Sequence, residues 1–101
     1  MLPMLTRLEN HFHIGVNHHE AKTLYDTLQW SPSIQSLRYR HEMSVMAVYI
    51  YLVRKQGKSV PLRKVIEAVK HVSSRKYYKF LGIIRTEGLF PQRNLQEESL
   101  Q

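Results

Sequence analysis

The sequence predicts an all-α domain, a five-helix bundle around a central hydrophobic helix whose last two helices form a helix-turn-helix. Three observations carry this reading. From about Tyr39 to Lys55 no Gly or Pro intervenes, and Met43, Val45, Met46, Ala47, Val48, Tyr49, Ile50, Tyr51, Leu52 and Val53 make that segment apolar almost all round. Such a helix in water must be surrounded by others. The segments on either side carry apolar residues at helical spacing and are punctuated by Gly, Pro, Asn and Ser. No hairpin signal lies near the β-branched run, which is also longer than an ordinary strand.

The first helix starts near Pro3, tolerated in a first turn, and places Leu5, Leu8 and Phe12 on one face until Gly15 breaks the run. Asn17 followed by Glu20 resembles a capping box and opens the second helix, with Ala21, Leu24, Tyr25 and Leu28 at i, i+3, i+4 and i+7. Trp30-Ser31-Pro32-Ser33 reads as a loop, because proline disfavours helical geometry in the residue before it. Trp30 there is expected to cap the core. The third, central helix ends at a Gln56-Gly57-Lys58 turn. Pro61 opens the fourth, with Leu62, Val65, Ile66 and Val69 inward and Arg63, Lys64, Glu67 and Lys70 outward. Ser73 is a good N-cap for the fifth helix, whose inward positions are expected to be Tyr77, Leu81 and Ile84, closing near Gly88. Residues 1–90 form one domain, and 91–101 read as a flexible C-terminal tail.

At 101 residues the chain has room for one modest core. The absence of Cys excludes a disulfide framework, a Cys-ligated zinc finger and a thiol nucleophile, and fits a reducing, intracellular compartment. The apolar run around Met43 to Val53 is too short to span a bilayer, so no membrane role is expected. The formal charge of +7 favours polyanionic partners. Its distribution is uneven: Arg54, Lys55, Lys58, Arg63, Lys64, Lys70, Arg75, Lys76, Lys79 and Arg85 face a single acid, Glu67, across that stretch.

The fifth helix is the sharpest candidate site. Ser74, Arg75, Lys76, Tyr78 and Lys79 lie at its start or on its outward side. In a helix-turn-helix, that part of the second helix meets base edges while neighbouring cations hold phosphates. Arg54, Lys55, Lys58, Arg63 and Lys64 cluster around the turn between the third and fourth helices, where they fit a phosphate backbone or an acidic protein surface. Lys58, Arg63 and Lys64 join the DNA-binding set; Arg54, Lys55 and Tyr39 are read as partner-binding. Tyr49 and Tyr77 read as core, leaving Tyr39 and Tyr78 as the exposed tyrosines. His11, His13, His18 and His19 diverge around their helices with no Cys to complete a ligand set, so no metal site and no cofactor are expected. There is no Gly-rich phosphate loop, nucleophile elbow or His-Glu-x-x-His helix, and no catalysis is expected.

The order of these features resembles one cyclin-type repeat of the transcription factor IIB family, including its archaeal relatives. Met46-Ala-Val-Tyr-Ile-Tyr51 is similar to the family's central helix with its Leu-Tyr or Ile-Tyr pair, and Gly57, Leu62, Val65-Ile66-Glu67 and Val72-Ser73 follow at family-like spacing. Upstream, Arg7-Leu8, Ile14-Gly15-Val16, Ala21 and Leu24-Tyr25 extend the resemblance over roughly Thr6 to Leu89. Where the family carries a zinc ribbon and two tandem repeats, this sequence has no Cys and room for one repeat. The resemblance implies a monomeric, non-enzymatic module that contacts duplex promoter DNA, the TATA-binding protein or RNA polymerase. It implies a nuclear location in a eukaryote and a cytoplasmic one in an archaeon or an archaeal virus. The alternative is a cyclin-fold protein-interaction module, an adaptor or regulatory subunit without DNA binding. A free-standing helix-turn-helix repressor would need a dimer, and no dimerisation helix is visible.

Overall fold

A computed structural model describes residues 1–91, and helices are the regular secondary structure found over them. Its six helices are α1 (Leu2–Phe12), α2 (His18–Gln29), α3 (Pro32–Gln35), α4 (Arg40–Lys55), α5 (Leu62–Val69) and α6 (Ser74–Glu87). The proposed tail over 92–101 lies outside the described residues. Among the described residues no helix is long and apolar enough to cross a membrane.

The helix beyond the expected five is α3, where a loop was expected. Pro32 occupies its first turn, where the missing amide hydrogen costs nothing, and the Ser31 hydroxyl accepts from the Ile34 amide. A single turn seats Ile34 fully in the core. The other boundaries follow their caps. Asn17 Oδ1 accepts from the Glu20 amide at 2.8 Å, Ser73 Oγ from the Lys76 amide at 3.2 Å, and Gly88 ends α6 in the left-handed conformation with φ 62°.

The central helix is α4, which packs against α1, α2, α5 and α6. Met43 to Tyr49 are buried without interruption, as are Leu52 and Val53, which explains why its sequence is apolar on nearly every side. Around it close Leu5 and Leu8 of α1, Ala21, Leu24 and Leu28 of α2, Val65 and Val69 of α5, and Tyr77, Phe80 and Ile84 of α6. Within α6 the inward position falls on Phe80 rather than the expected Leu81, which is half-buried. Tyr77, Phe80 and Ile84 follow i, i+3, i+7, a stripe as wide as the expected one but rotated toward the Phe80 side.

Polar ties hold the α1–α2 loop to α4. The Tyr49 hydroxyl donates to the Ile14 carbonyl at 2.8 Å, and Gln56 Nε2 to the Gly15 carbonyl at 2.7 Å. Glu9 accepts from the Val16 amide at 2.9 Å. No buried side-chain nitrogen or oxygen among the described residues lacks a partner, as expected when unpaired buried polar groups are costly.

Candidate nucleic-acid interface

The α5–α6 pair is joined by four residues, Lys70 to Ser73, a length that suits a helix-turn-helix. Val72 is buried and pins the turn to the core. The two residues before it are strained. Lys70 lies at φ 66°, ψ 168°, a region that glycine alone adopts easily, and His71 follows at φ 64°. This backbone brings the His71 ring nearly parallel to Tyr39, with centroids 6.0 Å apart and an 11° interplanar angle.

Tyr39 is thus half-buried rather than freely exposed. It holds a left-handed conformation (φ 61°) at the start of α4, and its ring collects two cations, Lys76 Nζ at 5.4 Å and Arg38 Cζ at 5.7 Å. Lys76, from the first turn of α6, therefore sits against an aromatic face. Tyr39 belongs spatially with Lys76 at the α5–α6 turn, not with Arg54 and Lys55 at the other end of α4.

The rest of the α6 set is open to solvent. Ser74, Arg75, Tyr78 and Lys79 are all exposed, Tyr78 by 61%. Arg75, Lys76 and Lys79 have no acidic partner among the described residues. The sole acid of α6, Glu87, is turned toward α3. Its carboxylate accepts from the Ser31 hydroxyl at 2.6 Å. The hydroxyls of Ser31 and Ser33 hold it below the usual carboxylate range.

The α4–α5 group is more heavily committed. Arg63 Nε and Lys64 Nζ share one carboxylate, Glu67, at 3.7 and 3.8 Å. Lys55 pairs with Glu20 of α2, and that hydrogen bond raises its pKa. Arg54 and Lys58 are exposed, Lys58 just after Gly57, whose φ of 78° makes the turn. Arg54 also lies near Tyr77 of α6: burial pushes that hydroxyl well above its ordinary pKa, and the Arg54 guanidinium opposes the shift.

The histidines of the first two helices go their own ways. His11 packs edge-on against Phe12, and His18 Nε2 bonds Glu9 Oε1 at 2.8 Å. Among the described residues no three His, Asp or Glu side chains converge as metal ligands. His41 is part-buried, its Nδ1 2.7 Å from the Tyr25 hydroxyl.

Trp30 corrects an expectation. It is 80% exposed rather than a cap on the core, because the α2–α3 turn directs the buried Ser31 inward and the indole outward. Spacing alone did not reveal this, since the indole stands at the end of an amphipathic stripe without belonging to it.

Comparison with protein-family models, with curated proteins and with solved structures gives no match.

Proposed function

We propose that this domain is a non-enzymatic duplex-DNA-binding module of the transcription factor IIB type, with α5 and α6 as its helix-turn-helix. α6 supplies the contact surface. Arg75 and Lys79 lie along or within the DNA grooves, with Ser74, Lys76 and Tyr78 beside them. Arg63, Lys64 and Lys58 hold flanking phosphates, while Arg54 and Lys55 at one end of α4, and Tyr39 beside Lys76 at the other, remain for a protein such as the TATA-binding protein or RNA polymerase. One observation carries the reading: between Glu67 and Glu87 the sequence has no acid, and the exposed cations of α6 are unpaired among the described residues. A solubilising surface is normally of mixed sign, whereas a cationic row lowers the cost of approaching phosphates.

The test is a titration of the chain against a mixed-sequence DNA duplex, with and without TATA-binding protein. The wild type is expected to bind, and an Arg75→Ala/Lys79→Ala double variant to lose most of that affinity. Equal binding by the double variant would remove the proposal.

The exposed Trp30 favours a second reading, a cyclin-fold protein-interaction module, because tryptophan is enriched where interfaces concentrate their binding energy. Under that reading Trp30→Ala abolishes partner capture and leaves DNA affinity unchanged.

A further inference from the structure

Gly82 stands in the middle of α6, where a glycine costs helix stability relative to alanine. The fold gives no reason for it. The residue is solvent-exposed, and a Cβ built on it meets nothing within 4 Å, so no neighbouring helix requires its smallness. Its φ is not positive, so no turn requires it either.

Its position on the helix surface is informative. Arg75, Lys79, Gly82 and Thr86 follow i, i+4, i+7 and i+11, and Tyr78, Gly82 and Arg85 follow i, i+4 and i+7. Gly82 therefore lies where two outward rows cross. All of these residues are exposed, and Arg75, Lys79 and Arg85 have no acidic partner among the described residues. From Arg75 to Thr86 the rows span about 16 Å of helix axis. The helix has a bare patch of backbone surrounded by cations and a tyrosine.

We infer that Gly82 is the point of closest approach between α6 and a DNA duplex. The inference rests on the DNA-binding proposal and adds how the helix seats. A helix with side chains is about 10–12 Å across and a major groove about 12 Å wide, so the fit leaves little slack. A missing side chain at mid-helix lets the backbone sink toward the groove floor while Arg75, Lys79 and Arg85 reach phosphates on its walls. A flexible single strand or an acidic peptide moves around an added methyl group. A groove does not.

The experiment uses the full chain with Gly82→Ala and Gly82→Leu, a 20-base-pair mixed-sequence DNA duplex at low salt, and one of its strands alone. Gly82→Ala is expected to raise Tm by roughly 4–8 °C, since alanine is the better helix former and the site is open. The same change is expected to weaken duplex binding at least about fivefold, and leucine to weaken it further, as overpacking a close fit does. Single-strand affinity should change less than about twofold, because a flexible strand adjusts. Duplex affinity at the wild-type level in both variants overturns the inference, as does equal weakening on the single strand. If Arg75→Ala/Lys79→Ala loses binding while the Gly82 variants do not, the inference falls and the DNA-binding proposal stands. If the wild type binds no duplex, both fall.

Discussion

The salt dependence of DNA binding gives the sharpest test of how the cations of α5 and α6 divide their work. Lys70, Arg75, Lys76, Lys79 and Arg85 have no acidic partner among the described residues, whereas Arg63 and Lys64 share Glu67. If those five unpaired cations each neutralise a phosphate, they contribute about −4.5 to the slope of log affinity against log salt, before any share from Lys58, Arg63 and Lys64. That contribution alone lowers affinity about 500-fold between 50 and 200 mM salt. Alanine at Arg75 or Lys79 should each flatten the slope by about 0.9.

Position 67 supplies the opposite perturbation. Glu67→Gln releases Arg63 and Lys64 and removes a charge that repels phosphate, so it should strengthen binding and steepen the slope. An exposed ion pair is worth only about 0–1 kcal/mol, so the helix should tolerate the change. Fluorescence anisotropy of a labelled duplex across a potassium chloride series reads all of these values. The reasoning fails if Arg75→Ala and Lys79→Ala keep the wild-type slope while Arg63→Ala and Lys64→Ala flatten it, because the contact would then lie on α5.

Three further outcomes probe the scaffold. Tyr49→Phe leaves the Ile14 carbonyl without its buried donor and should cost about 1–3 kcal/mol in urea unfolding at neutral pH. Burial, aided by Glu9, pushes the Tyr49 hydroxyl up to about 12, so its contribution is present below pH 10 and lost as pH rises through that value. The variant should therefore lose less stability than wild type over that range. His41 is shifted the other way: burial first, then the N-terminal ammonium, depress its pKa. Its contribution is complete above about pH 6.5 and lost as pH falls through the depressed value, so acid should lower the urea midpoint less in His41→Gln than in wild type. Lys70→Gly relieves a conformation costing about 1–3 kcal/mol, less the entropy glycine adds to the unfolded chain, and should raise the midpoint. A lower midpoint would mean that the turn is not strained.

Much of the helical architecture was legible because its signals are local and redundant. The Asn17 and Ser73 caps, the glycine after α6 and the apolar run of α4 each lie where sequence placed them, since capping and periodicity act within a few residues. What escaped depends on contacts distant in sequence. α3 is one turn long, too short to show a period, and forms where Ser31 reaches both the Ile34 amide and Glu87. Phe80 and Leu81 are equally apolar neighbours, and only the direction from which α4 and α5 pack decides which faces inward. Tyr39 looked like an open aromatic because nothing near it in sequence announces His71 and Lys76. The candidate interface divides in the same way. Its charges are written in the sequence, but their availability is not, since Glu67 engages α5 while Ser31 draws Glu87 away from the cation row of α6.

Several positions that break local rules lie close together. Lys70 and His71 occupy backbone conformations that suit glycine, yet neither is glycine. Gly82 occupies a helix interior that suits alanine, yet it is not alanine. Tyr78 leaves a large ring in water, and no acid balances Arg75, Lys76 or Lys79. All of these lie between residues 70 and 82, while elsewhere among the described residues the departures are scattered: Leu2 and Trp30 are exposed, His13 and Tyr39 hold positive φ, and α1, α4 and α5 start without a side-chain cap. A sequence constrained only to fold would exchange each of them at little cost or with a gain in stability. Their joint presence on the turn and outward face of α6 is accounted for when that face has a second surface to fit, and departures from local consistency are expected where function competes with stability. Under the DNA-binding proposal, the exposed row of Arg75, Lys79 and Gly82 is the part of that face that meets a regular negative surface.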